Sequence, residues 1–208
     1  MSLREEQKRH TCQRIVDTAL LLSTEHGCFS ALSLRELSRH VGLVPTAFYR
    51  HFPNMNALAL ELVDRGAIHL HACYQHLIKI TLQQSTYTLE EYLNTFLTQV
   101  HTSPMLWSFF LIERYTGQNN VKAAIRHEIQ FLQQNMQHDL KCLACFSLQE
   151  NNAQLTVFIE MLVEVLFHHI LDELAILQTN LVAPSLALAQ HRSKAIAQIE
   201  LLYAGLQA

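Results

Sequence analysis

Leu34-Arg35-Glu36-Leu37-Ser38-Arg39-His40-Val41-Gly42-Leu43-Val44-Pro45-Thr46-Ala47-Phe48-Tyr49-Arg50-His51-Phe52 holds two short helical patterns and the break between them. Ser33 stands just before this run with Glu36 three positions on, the spacing of a capping box. Gly42 closes the first helix, because glycine enters the left-handed conformation at no steric cost. Pro45 suits the first turn of the next, where its missing N–H is not needed. Two short helices joined by a three- or four-residue turn containing glycine make a helix-turn-helix. Leu34, Leu37, Val41, Leu43 and Phe48 are spaced to pack on a preceding helix. That leaves Pro45, Thr46, Ala47, Tyr49, Arg50 and His51 on the opposite side.

Working outward, a first helix is expected from about Arg4 to His26, with Ile15, Ala19 and Leu22 as its apolar stripe and Gly27 as its cap. Pro53-Asn54 breaks the chain, and a long helix follows to about Gln84. Thr88 with Glu91 reads as a second capping box, for a helix ending near Thr102. Further helices are expected from Ser103-Pro104 to about Thr116, and over roughly Asn120–Phe146, Leu148–Leu177 and Ser185–Leu206. The fold class is therefore all-α, about nine helices, with residues 1–53 as a three-helix head that carries the helix-turn-helix and 54–208 as a larger helical domain.

Composition agrees. Half of the 208 residues are apolar and only 16% are charged, with five Gly and four Pro, so the chain packs a core and has few turns. The first ten residues lack the apolar segment of an export signal. The most apolar run, Leu155 to Leu171, is interrupted by Glu160, Glu164, His168 and His169, which are costly in lipid. Five cysteines, an odd number, suit reduced thiols. A cytoplasmic protein with no membrane partner is expected. Net charge is −3, but residues 1–52 carry seven Lys/Arg against five acids while the rest carries eight against thirteen. A basic head on an acidic body suits a chain of which one part meets phosphate.

The aromatic-Tyr49-x-His51-Phe52 ending, on a helix-turn-helix of this spacing, resembles the operator-binding head of the TetR family of repressors. The resemblance implies that Tyr49 and His51 contact phosphate. It departs at Met55, where the family usually places a phosphate-binding lysine. Physical reasoning adds Thr46 and Ala47 near base edges, Pro45 beside them, and Arg50 on a guanine or the backbone. Lys8, Arg9, Thr11, Ser33 and Arg35 are further phosphate candidates. A closer resemblance runs through Phe29-Ser30-Ala31-Leu32-Ser33-Leu34-Arg35-Glu36, Leu111-Ile112-Glu113-Arg114-x-x-Gly117 and Ala123-Ala124-Ile125-Arg126-x-Glu128-Ile129. It is to the family's repressors of unsaturated fatty-acid biosynthesis, and it implies an effector that is a long-chain acyl thioester of coenzyme A or acyl carrier protein.

In the body, Trp107, Phe110, Phe131, Phe158 and Met161 either line an apolar tunnel for such a ligand or form ordinary core. Arg114 and Arg126 require anions, either Glu113 and Glu128 or the phosphates of a thioester carrier. The last two helices are apolar on more than one side: Leu155, Phe158, Ile159, Leu162, Leu166 and Ile170 form one stripe, and Val157, Met161 and Val165 another. Such helices are buried on both faces, which points to a homodimer joined through them and reading a palindromic double-stranded operator. Two other readings stand beside this one. The same fold serves a repressor of an efflux pump that senses lipophilic drugs. Alternatively, His69-x-x-x-Cys73-x-x-His76, Glu164-x-x-x-His168-x-x-x-Asp172 or Cys142-x-x-Cys145 belongs to a metal-binding helical protein or hydrolase. No Gly-rich phosphate loop or nucleophile elbow occurs, so neither an enzyme nor a cofactor is expected.

Overall fold

The computed structural model describes residues 2–83, 88–142, 152–178 and 184–207. Among these are nine α-helices, one 3-10 turn and no strand. The helices are α1 (Leu3–Glu25), α2 (Leu34–Val41), α3 (Pro45–Phe48), α4 (Met55–Gln83), α5 (Leu89–His101), α6 (Pro104–Thr116), α7 (Asn119–Cys142), α8 (Asn152–Gln178) and α9 (Pro184–Gln207), with the 3-10 turn at Phe29–Ala31. The expected continuation of α7 to Phe146, the start of α8 at Leu148, and Cys145 lie outside the described residues. The chain divides into two compact units, Met1–Leu70 with Ser103–Arg126, and His71–Thr102 with His127–Ala208.

The first unit closes around Ile15, Leu37, Phe48, Leu58, Leu62, Phe110, Leu111 and Ile125, all at most 1% exposed. Gly66 lets α4 approach α6, for a Cβ there would fall 2.6 Å from a ring carbon of Phe110. Ser33 caps α2, its hydroxyl oxygen accepting the Glu36 N–H at 3.2 Å. The expected capping box is only half formed. The Glu36 carboxylate turns instead to His26, 3.0 Å from Nε2, because His26 ends α1 close by. Gly42 has φ +76 and ψ +32, the left-handed geometry the turn requires. Arg14 of α1 donates to the carbonyl of Val41, satisfying one of the orphan acceptors at the end of α2. α3 is shorter than its pattern, and the chain continues as turns in which His51 and Phe52 donate back to the Phe48 carbonyl.

In the second unit, α5 has the complete box. Thr88 accepts the Glu91 N–H at 3.2 Å and the Glu91 carboxylate accepts the Thr88 N–H at 2.7 Å. That backbone bond holds the Glu91 carboxyl below its ordinary range. α8 packs on α9. By length and composition α8 could cross a membrane, with a mean hydropathy of 1.5 over Ala153–Gln178. Yet it buries Glu173 and His169, at 1% and 2% exposure. Both find partners, as buried polar groups must. Arg192 of α9 forks onto Glu173 at 2.6 and 3.2 Å and donates to Asn94 of α5 at 3.1 Å. His101 Nε2 lies 2.9 Å from the same carboxylate. His169 meets Gln198 at 2.7 Å and His191 at 3.1 Å. These contacts knit α5, α8 and α9 as a core bundle.

Candidate functional site

The candidate nucleic-acid surface of the head is built from α1, α2 and α3. Leu37, Val41, Phe48 and Phe52 turn inward, which leaves the polar positions between them outside. Pro45, Thr46 and Arg50 are exposed and Ala47 is half-buried. Tyr49 is 55% exposed, its ring standing edge-on to Phe48 at 5.8 Å. Lys8, Arg9 and Arg35 are exposed on their helices, and Ser33 and Arg35 border a shallow notch with Arg39 and Pro45. The Thr11 hydroxyl donates to the Gln7 carbonyl at 2.9 Å, so its proton is already committed within α1. The Ser33 oxygen accepts from Glu36, which leaves its proton free to point outward.

His51 is the electrostatic centre of this surface. Its Nδ1 is buried and has no protein partner. Burial first, then the neighbouring charges of Lys8 and Arg50, push its pKa below the ordinary histidine value. Two cations therefore act on one imidazole, and an anion placed among them would relieve all three. At the start of α4, where lysine was lacking, Asn54 caps the helix by accepting the Ala57 N–H at 2.8 Å.

Within the second unit lies an almost wholly apolar cavity of about 340 Å³. It is lined by Tyr74 and Ile78 of α4, Leu89 of α5, Met136 and Leu140 of α7, Phe158 and Leu162 of α8, and Ile199, Glu200 and Tyr203 of α9. Four helices each contribute a pair of residues four positions apart, one face of a helix looking into the hollow. Tyr74 donates to Asp139 at 2.7 Å, and burial together with this carboxylate raises its pKa strongly.

Of the seven residues expected to hold a ligand, two line apolar hollows of the second unit. Phe158 lines the 340 Å³ cavity. Met161 joins Phe158 at a second, more open apolar hollow of about 430 Å³ between α8 and α9. Trp107 and Phe110 are 2% and 1% exposed, in the core of the first unit. Arg114 places its guanidinium 4.7 Å from the centre of the Tyr115 ring. Glu113, one of the anions expected for it, instead accepts the Phe29 N–H at 2.8 Å. Glu128, the other expected anion, lies 3.1 Å from His71, and Arg126 is exposed. Phe131 is 49% exposed with its ring edge against His71. Tyr74, Ile78, Leu140 and Leu162 were missed; their i,i+4 spacing is a signal, but one shared by many core pairs. Among the described residues no cluster of three His, Cys, Asp or Glu could hold a metal. Cys73 is 4% exposed, its thiol pushed up to about 11 by burial.

Residues 15–62 match the family model of bacterial regulatory proteins, tetR family. Solved structures similar to this chain include a transcriptional regulator from Aquifex aeolicus, 18% identical, covering 92% of this chain and 99% of that one with a TM-score of 0.61. The TetR-family regulator PfmR of Thermus thermophilus is 18% identical over 86% and 94%, TM-score 0.59. The fatty acid degradation regulator FadR of Bacillus halodurans is 13% identical over 89% and 94%, TM-score 0.58. The head thus matches that of bacterial regulatory proteins of the tetR family, and the all-helical fold is the one these solved structures share.

Proposed function

We propose that this regulator represses genes of fatty-acid or lipid metabolism and that its effector is a long-chain acyl thioester. Residues 1–53 hold the operator, and the helical remainder holds the acyl chain and the dimer interface. The carrying observation is the 340 Å³ cavity. It lies within the usual range for small-molecule sites, roughly 300–1,000 Å³, and its apolar walls suit a hydrocarbon tail, whose thioester head with its phosphates stays outside. The resemblance of Glu113-Arg114-x-x-Gly117 and its surroundings to repressors of fatty-acid biosynthesis points the same way. On the DNA side, Thr46 and Ala47 read base edges with Pro45 beside them, while Lys8, Arg9, Ser33, Arg35, Tyr49, Arg50 and His51 set register on the backbone. Dimerisation runs through α8 and α9, where Val157, Met161, Leu186 and Leu201 leave an apolar face uncovered on a single chain. Such a protein works in the cytoplasm.

A second reading has one observation in its favour. The charged residue lining the cavity is Glu200, an acid. A carboxylate there suits a neutral or cationic lipophile, as for the repressor of an efflux pump. Fluorescence anisotropy on labelled DNA from upstream of lipid-synthesis genes, with and without saturated and unsaturated acyl-coenzyme A, tests the proposal. A shift with one acyl type supports it. Specific binding indifferent to every acyl thioester, with cationic lipophiles retained in native mass spectrometry, overturns it in favour of the second.

A further inference from the structure

The motif Glu113-Arg114-x-x-Gly117 has a physical explanation that neither the DNA surface nor the cavity uses. Of the two charged side chains on α6, Arg114 is half-buried and Glu113 is 1% exposed. A buried carboxylate is costly unless hydrogen-bonded. Glu113 Oε1 accepts the backbone N–H of Phe29 at 2.8 Å and the hydroxyl of Thr116 at 3.2 Å. Phe29 opens the 3-10 turn between α1 and α2, and an N–H at the start of such a turn has no partner inside it. Glu113 supplies that partner from far along the chain. Phe109, on the same helix, adds a ring edge against Phe29 at 5.7 Å and 86°.

Gly117 completes the arrangement. Its N–H returns to the Glu113 carbonyl at 3.0 Å. A Cβ at Gly117 would fall 2.6 Å from that oxygen and 3.0 Å from Glu113 Oε2. Its φ of −60° is ordinary, so the demand for glycine is one of space. Any side chain there pushes on the group that holds Phe29.

Four residues beyond Phe29, Ser33 caps α2, and α3 follows through Gly42. The clamped N–H is thus the root of the helix-turn-helix. We propose that Glu113 is a positioning residue for operator binding: α6 sets the presentation of α2 and α3 by holding the Phe29 N–H. Glu113 touches no DNA and acts through the α1–α2 connection. A hydrogen bond fails beyond about 3.5 Å, so a small displacement of α6 releases the connection. The inference rests on the head's DNA-binding role.

Three variants of the full chain test it. Glu113→Gln keeps an acceptor oxygen for Phe29, Glu113→Met fills the space without one, and Gly117→Ala crowds the carboxylate. Operator affinity is read by anisotropy on the fragment that wild-type protein selects from random DNA. Amide exchange at Phe29 and amide shifts across residues 33–52 are read by ¹⁵N NMR. Glu113→Gln should bind within about twofold of wild type. Glu113→Met should lose about tenfold, with faster Phe29 exchange and shifted α2–α3 amides at unchanged helix content. If Glu113→Met does not fold, Gly117→Ala is expected to give the same pattern. Faster Phe29 exchange with unchanged affinity and unshifted α2–α3 amides overturns the proposal, as does a loss in Glu113→Gln equal to that in Glu113→Met. Wild-type protein that selects no DNA refutes the head's role instead, and the spread of the amide shifts still decides the clamp.

Discussion

The head and the α8–α9 region solve opposite problems with the same residue types. In the head, Leu37, Val41 and Phe48 are buried, and Thr46, Tyr49 and Arg50, the proposed DNA contacts, stay in water. In α8, apolar Val157 and Met161 are about half exposed, whereas Glu173 and His169 are sealed inside. The head keeps its polar groups free for a partner of opposite charge. The body spends its polar groups on itself, through Arg192, Asn94, His101, His191 and Gln198. Removing a polar side chain should therefore cost function in the first region and stability in the second.

The largest effect tests that division in the body. Arg192→Ala leaves Glu173 buried with, among the described residues, His101 beside it, and losing one partner of such a pair costs about 3–5 kcal/mol. Urea denaturation should show this loss. Replacing the pair together, Glu173→Leu with Arg192→Met, should recover most of it. A loss under about 1 kcal/mol for Arg192→Ala (a value typical of exposed pairs) would mean that the contact behaves as a surface pair.

In the head the expected order is reversed. Tyr49→Ala should weaken operator and unrelated DNA alike, by about tenfold, while melting as wild type does. Thr46→Val should instead change which operator variants are preferred, by about 1–3 kcal/mol between best and worst base at one position. Tyr49→Ala binding operator as well as wild type would displace the recognition surface from α3.

What was legible in the sequence follows the same line. Caps, turns and apolar stripes act within a few residues, so Ser33, Gly42, Pro45 and Thr88 announce their roles by type and spacing. Long-range polar pairing leaves no such trace. Glu36 has the position of a capping-box partner, yet His26 claims it across the α1–α2 turn. Glu113 stands next to Arg114 in the sequence, and nothing in that adjacency announces that its carboxylate holds Phe29. The apolar periodicity of α8 marks its core face but says nothing of Glu173 or His169. The cavity is lined by i,i+4 pairs of the kind that also fills solid core, so spacing alone could not separate Tyr74 from Phe110.

Ser33→Ala and Thr88→Ala sharpen the comparison at smaller magnitude. Each removes a hydroxyl cap accepting one N–H, worth about 1 kcal/mol. Equal losses of stability are expected. Operator affinity should fall only for Ser33→Ala, because α2 carries the head's surface. Equal affinity losses in both would erase the distinction.

The smallest effect compares two histidines. His51 in the head and His169 in the body are both held below the ordinary histidine pKa, chiefly by burial. The second cause at His51 is the charge of Lys8 and then Arg50. At His169 the Gln198 hydrogen bond opposes the shift, as does Asp172, while His191 and His168 add to it. A depressed histidine binds fewer protons folded than unfolded, so each contributes fully to stability above the unfolded value near about 6.5 and loses that contribution as pH falls through it. Stability should fall below about pH 6.5 in both regions. DNA reverses the sign at His51 alone. A phosphate beside the imidazole favours its charged form, so operator binding takes up a proton and tightens as pH falls. His51→Gln should therefore flatten the pH dependence of operator affinity and leave most of the acid destabilisation in place. His169→Gln should do the reverse, since Nδ1 of a neutral His169 serves as acceptor for His191 only while Nε2–H donates to Gln198. Operator affinity that weakens on acidification in wild type, and no longer does so in His51→Gln, would mean that the imidazole meets DNA as the neutral base.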